Sequence, residues 1–153
     1  MVGDIIRILI DADSCPVIDL TEEISEEYKI EVLIFVDYDH QLDSDYGKII
    51  KMDTENQSVD MEIVNRSQSG DIVITQDYGL AALVLGRGVY VLNFYGKEYT
   101  EHNIDNLLMR RHHNAKMRRA GKRHPSHSKR TQKDDSKYKK GLIEIIERKI
   151  SLN

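Results

Sequence analysis

The segment Ile5-Ile6-Arg7-Ile8-Leu9-Ile10-Asp11-Ala12-Asp13-Ser14-Cys15-Pro16 decides how the rest of the chain is read. Its opening run of β-branched and other apolar side chains, broken by Arg7, stops abruptly at Asp11, as a buried strand does where it reaches the sheet edge. Pro16 suits the first turn of a helix, and Val17, Leu20, Ile24 and Tyr28 follow at helical spacing. The reading is a strand, an acidic turn and a helix over 16–28. Working outward, Ile30 to Val36 is nearly all apolar and predicts a second buried strand that ends at Asp37-Tyr38-Asp39-His40. Ile49 to Met52 reads as a short strand inside a polar stretch. From Ser58, the pattern Val59, Ile63, Val64 and Ser67 is helical and Gly70 closes it. Ile72 to Thr75 is a strand ending near Asp77, Leu80 to Leu85 a helix closed by Gly86, and Val89 to Leu92 another strand. A further helix starts near residue 101 and runs into a basic stretch, and Leu142 to Ile150 is amphipathic, with Leu142, Ile143, Ile146 and Ile150 available to pack on the body. Alternating strands and helices imply a mostly parallel sheet covered by helices on both faces, which is a three-layer α/β domain.

Composition narrows the function classes. The chain has 153 residues, enough for one domain with its own core, and 40% hydrophobic with 31% charged residues is the balance of a water-soluble fold. No apolar run approaches the roughly 20 residues that cross a bilayer, so no membrane partner is expected. The start lacks a basic region followed by a long apolar one, which argues against a signal peptide, and a lone cysteine fits a reducing compartment; a cytoplasmic location follows as the expectation. Charge is unevenly spread. Residues 1–106 hold 22 Asp/Glu against 7 Lys/Arg, whereas residues 107–140 hold 13 Lys/Arg against 2 Asp/Glu and four histidines. An acidic body, residues 1–120, would thus carry a basic flexible segment, residues 121–140, followed by a C-terminal amphipathic helix, residues 141–153, packing on the same domain. Arg110, Arg111, Arg118, Arg119, Lys122 and Arg123 are the candidate contacts to an anionic polymer such as RNA; the competing account is a basic arm that lies over the acidic body. On the first account 121–140 can be deleted without loss of the fold.

Ligands of open parallel sheets bind beyond the carboxyl ends of the strands. Asp11 and Asp13 follow the first strand, Asp37 and Asp39 the second, and Asp77 the Ile72–Thr75 strand, with no Lys or Arg in these turns. Two carboxylates about 4 Å apart repel by about 4 kcal/mol at an effective dielectric near 20. A hard divalent cation, Mg²⁺ or Mn²⁺, relieves that repulsion and prefers carboxylate oxygens. For any single aspartate the competing role is a helix N-cap or turn residue. That holds for Asp60 too, since spacing alone does not bring it to the cluster. Asp71 precedes its strand and belongs at the opposite end of the sheet, in a structural role. Cys15 has no partner base at hand, which favours a structural or metal-proximal thiol over a nucleophile. The spacing of His112, His113, His124 and His127 matches no established zinc pattern.

Asp11-Ala12-Asp13-Ser14-Cys15-Pro16, Asp60 within Ser58-Val59-Asp60-Met61-Glu62-Ile63-Val64, and Gly70-Asp71-Ile72-Val73-Ile74-Thr75-Gln76-Asp77 with Leu80-Ala81-Ala82 closely resemble the uncharacterised YaiI/YqxD family. The resemblance continues through Asn93, Gly96, Tyr99-Thr100, Asn103-Ile104 and Arg110, and covers most of residues 8–121. That family looks like a relative of the PIN-domain nucleases. The resemblance implies a PIN-like fold in which acids from the first strand end, a middle helix and a later strand end surround one or two Mg²⁺ or Mn²⁺ ions. Carried over by motif, Asp11, Asp60 and Asp77, with Asp13 as a nearby fourth, are the implied catalytic and metal-ligating residues. Ile74-Thr75-Gln76-Asp77 matches the PIN hydrophobic-Thr-x-Asp signature, which implies that Thr75 orients the metal-binding end. After Gly121 the family's usual Gly-Pro loop is replaced by Lys122-Arg123-His124-Pro125.

Three functions from different classes fit these features. One is a metal-dependent nuclease that hydrolyses phosphodiesters, of RNA before DNA. Another is a non-catalytic RNA- or ribosome-associated module. The third is a haloacid-dehalogenase-like phosphatase, which the Asp11-x-Asp13 pair suggests but which also needs a catalytic lysine and an acidic pair after a later strand.

Overall fold

The computed structural model describes residues 6–119 and 129–152. Strands β1 (Arg7–Asp11), β2 (Glu31–Val36), β3 (Lys48–Lys51), β4 (Ile72–Ile74), β5 (Tyr90–Leu92) and β6 (Glu98–Tyr99) form one sheet in the order β3-β2-β1-β4-β5-β6. All neighbours are parallel except β5 and β6. The helices are α1 (Ile18–Tyr28), α2 (Val59–Arg66), α3 (Tyr78–Leu85), α4 (Ile104–Arg119) and α5 (Gln132–Ser151).

Because strand side chains alternate, each central strand serves two cores. Ile8, Ile10, Val32, Ile34, Val36, Ile72, Ile74 and Leu92 face one side, where they meet Val17 and Ile24 of the α1 region and Tyr138, Leu142, Ile145 and Ile146 of α5. Leu9, Leu33, Phe35, Val73 and Val91 face the other side, against Ile63 of α2, Leu80, Ala81 and Val84 of α3, and Ile104 and Leu107 of α4. This is why the strands read as unbroken apolar runs, and the three-layer α/β expectation holds. No helix among the described residues is long and apolar enough to cross a membrane.

Two elements differ from the sequence reading, the edge strand β6 and the start of the last helix. The edge strand β6 was not expected, since two residues leave no periodic signal. The passage from β2 to β3 returns to the start of the sheet without a helix. Leu42 and Tyr46 anchor it on the first core, and Glu22 accepts hydrogen bonds from the Gly47 amide (2.7 Å) and from the Ser44 hydroxyl. Most consequential is the start of the last helix, ten residues before Leu142. Thr131 and Asp134 form a reciprocal capping box that starts α5 at Gln132, a terminus set by hydrogen bonds instead of apolar spacing. Tyr138 is fully buried, its hydroxyl 2.6 Å from that of Thr21. Residues 132–140 are therefore part of the body, and the expected tolerance of a 121–140 deletion does not survive. The stretch 120–128, with Lys122 and Arg123, lies outside the described residues.

Candidate functional site

β1 pairs with β2 on one side and β4 on the other, so chain connections leave the carboxyl ends of β1 and β4 in opposite directions. Such a switch point opens a crevice above the sheet. Here it holds a cavity of about 950 Å³ whose wall includes Asp11, Asp13, Asp37, Asp60 and Asp77. Asp11 ends β1 and Asp13 lies exposed in the turn after it, whose backbone reaches a positive φ of 54° at Ser14. Asp77 follows β4, and Asp60 stands in the first turn of α2. The structure thus brings together all four aspartates singled out above, and adds Asp37. Asp39 is not in this wall.

The local bonding separates cap from site. Ser58 is the N-cap of α2, its hydroxyl accepting from the Met61 amide at 3.3 Å, so Asp60 is released from the capping role the sequence left open for it. Asp77 does cap α3: its Oδ1 accepts from the Gly79 and Leu80 amides at 2.8 and 3.2 Å. Thr75, fully buried, ties the two strand ends together by donating to Asp11 Oδ2 and accepting from the Asp77 amide, both at 3.0 Å. Asp71 has the structural role expected of it. At the other end of the sheet it receives Arg7 Nη2 at 2.7 Å and Nε at 3.2 Å, and it is 2% exposed.

The electrostatics follow from this crowding. Burial, then the charges of Asp77 and Asp11, push the Asp60 carboxyl up to about 6. Burial also raises Asp11, against the Thr75 hydroxyl and the Asp13 amide, which favour its charged form. A proton shared at Asp60 is one way to hold like charges together; a cation is the other. Among the described residues, no group of three or more His, Cys, Asp or Glu side chains already stands close enough to hold a metal. The donor set itself, aspartate oxygens on a wall with one arginine and no lysine, has the hard-oxygen chemistry that suits Mg²⁺ or Mn²⁺. That arginine is Arg111, whose Nη1 lies 3.7 Å from Asp77 Oδ1. It continues the α4 stripe of Ile104 and Leu107 past the edge of the core, which carries it to the cavity. Arg110, Arg118 and Arg119 are exposed on the same helix.

Two consequences can be measured. An acid raised in the folded state stabilises the fold below its unfolded pKa, and that contribution is lost as pH rises from about 4 through about 6. Asp60→Asn, which never ionises, should therefore melt above wild type at pH 7 in chelator and level with it near pH 4. A gain that persisted at pH 4 would contradict the assignment. Cys15 is held as a thiol, its pKa pushed to about 12 by burial against the first core. Cys15→Ser should keep any hydrolytic rate within a few-fold and lower stability by about 1 kcal/mol, the usual cost of burying a hydroxyl without a well-placed partner. A loss of several orders of magnitude would indicate covalent catalysis.

Sequence reading did not name Glu55, Tyr78, Phe94 or Tyr95, which also line the cavity. Glu55 follows β3, so the strand-end rule, extended to the short strand read at Ile49 to Met52, finds it. The aromatics carry no motif.

Comparison with known proteins agrees with this geometry at the level of family. A model described as "Uncharacterized BCR, YaiI/YqxD family" matches residues 9–148. A UPF0178 protein of Natranaerobius thermophilus is 47% identical over 140 residues, 92% of this chain and 95% of the relative. UPF0178 proteins of Clostridium kluyveri and Clostridium tetani are each 46% identical over 140 residues, again 92% of this chain and 92% and 96% of theirs. No solved structure gives a significant match. With the match extending from inside β1 to the last turns of α5, the chain belongs to the YaiI/YqxD family.

Proposed function

We propose that this protein is a Mg²⁺- or Mn²⁺-dependent nuclease that hydrolyses phosphodiester bonds of single-stranded RNA. The observation that carries the reading is the convergence of Asp11, Asp60 and Asp77 from a strand end, a helix and a second strand end on one cavity at the switch point of the sheet. Asp11, Asp60 and Asp77 would hold the cation, with Asp13 beside them. When bound, the ion lowers the pKa of water and offsets the charge that grows on the phosphate oxygens. The chain's own groups do the rest. Thr75 fixes Asp11 relative to the Asp77 backbone. Asp13, exposed in its turn, accepts a proton from attacking water. Arg111 meets the phosphate at the rim, and the exposed Tyr95 offers a ring on which an unpaired base stacks. The exposed arginines of α4 would extend the phosphate track away from the acidic wall.

Incubation of an end-labelled, unstructured oligoribonucleotide with Mn²⁺, with Mg²⁺ and with chelator tests the reading. Cleavage that needs the divalent ion is expected. Binding without cleavage under every condition would favour the non-catalytic module, and release of terminal phosphate alone the phosphatase. For the phosphatase reading, the cavity wall has no lysine and Asp71 is at the far end of the sheet.

A further inference from the structure

Gln76, between Thr75 and Asp77, lines the cavity and is exposed, yet the scheme above gives it no part. Its Oε1 accepts from the Phe94 amide at 2.9 Å. Only the carbonyl end of a carboxamide can accept from an N–H, so this bond fixes which way the group is turned. Nε2, with two N–H donors, makes no hydrogen bond among the described residues. The same bond ties the end of β4 to the loop after β5, one residue from Tyr95. Tyr95 lines the same cavity and is 40% exposed. The guanidinium of Arg130, which is not part of the cavity wall, lies over its ring at 5.1 Å from the centre and holds it from behind. An accessible ring beside an oriented donor is the pairing with which proteins read unpaired bases: the ring stacks on any base, and the donor meets a base edge. A neutral carboxamide adds no charge that would draw a phosphate in preference to a base.

We infer that Gln76 is a specificity-determining residue of the cavity, whose Nε2 donates to a carbonyl oxygen of the unpaired base stacked on Tyr95. The cavity then favours bases that present such an oxygen, with uracil the plainest case, over adenine. Uracil carries carbonyl oxygens on both sides of its ring N–H and has no amino group. In adenine the ring acceptors N1 and N7 flank the amino group, so an approach to either sets donor against donor. The inference rests on the nucleic-acid reading of the cavity but not on hydrolysis or on a bound metal.

Equilibrium binding of fluorescent oligouridylate and oligoadenylate of equal length to the full chain, in chelator, tests it. For each protein the readout is the ratio of the two affinities, and comparing ratios between proteins cancels the different stacking of the two free strands. Gln76→Glu keeps an oxygen for the Phe94 amide and replaces the donors by an acceptor. Its added charge weakens both strands alike, whereas its uridylate-to-adenylate ratio should fall about tenfold, the effect of one hydrogen bond lost and acceptor set against acceptor. Gln76→Ala removes donor and anchor together and should lower the ratio about fivefold. Tyr95→Leu should weaken both strands about tenfold, as loss of a stacking ring does, and leave the ratio within about twofold of wild type. Melting temperatures confirm that each variant is folded, and Gln76→Glu carries the test if Gln76→Ala is not. A ratio within about twofold of wild type in folded Gln76→Glu, even with both strands weakened, would place the donor on phosphate or ribose. That result overturns the base contact even if Asp77→Asn abolishes cleavage. A lowered ratio in a protein that never cleaves RNA keeps the base contact and rejects the nuclease. Failure of the wild type to bind either strand overturns the inference together with the nucleic-acid reading.

Discussion

Asp77→Asn is expected to melt at or above the wild-type temperature in chelator, to lose most of the stabilisation that Mn²⁺ gives the wild type, and to lose RNA cleavage. The three effects have one origin. Asparagine keeps the shape and caps a helix about as well as aspartate, so the bonds that Oδ1 receives from Gly79 and Leu80 persist. What disappears is a negative charge that raises the Asp60 carboxyl, and with it both repulsion and affinity for a cation. A ligand at a hundred times its Kd adds about 2.7 kcal/mol to the native state, and for a chain of this size each kcal/mol moves the melting temperature by about 2–4 °C. Millimolar Mn²⁺ should therefore raise the wild-type value by about 5–10 °C and that of Asp77→Asn by far less. Since removing even a partner of a metal ligand costs about 10–100-fold in activity, loss of the ligand itself should cost more than a hundredfold. Asp11→Asn should behave alike, with one addition: its amide still meets the Thr75 hydroxyl, so the tie between the strand ends survives. If both aspartates were only turn residues, wild type and variants would respond equally to the ion.

Gly96→Ala should destabilise the fold more than any substitution in the cavity. Gly96 has a φ of +84°, and an added Cβ would sit 2.1 Å from the carbonyl oxygen of Lys137 in α5. Across the contact, a Cβ on Gly141 would come within 2.5 Å of the Gly96 carbonyl. Two glycines thus let the β5–β6 turn and α5 touch backbone to backbone. Asn93 shapes that turn: its side chain accepts from the Tyr95 and Lys97 amides, both at 2.9 Å. The left-handed conformation costs a non-glycine residue about 1–2 kcal/mol, and overpacking against rigid backbone adds about 1–3 kcal/mol. A loss of about 3 kcal/mol, or about 10 °C by thermal melt, is expected. A change under 2 °C would mean that α5 yields easily and that its seat beside the cavity is loosely held.

How much of this was legible in the sequence differs by element. The central strands were, because Ile8 to Ile10, Val32 to Val36 and Ile72 to Ile74 are buried on both faces and so apolar throughout. Asp11 and Asp77 were legible from their place after strands, and Asp71 from its place before one. Asp60 was not. Its arrival at the cavity depends on Ser58 taking the cap and on α2 pointing its first turn at the β1–β4 switch, and neither is a matter of spacing. The family motif supplied it instead. The start of α5 was misread because Lys133, Lys137, Lys139 and Lys140 give the segment the composition of a solvated arm, while the features that make it structural are a two-residue capping box and one buried tyrosine.

The most direct test of the shared cation site is anomalous diffraction from crystals of the full chain grown in millimolar Mn²⁺. The account predicts a manganese peak in the cavity at the carboxyl ends of β1 and β4, within bonding distance of carboxylate oxygens of Asp11, Asp60 and Asp77. Crystals in which that position stays without a peak would contradict it.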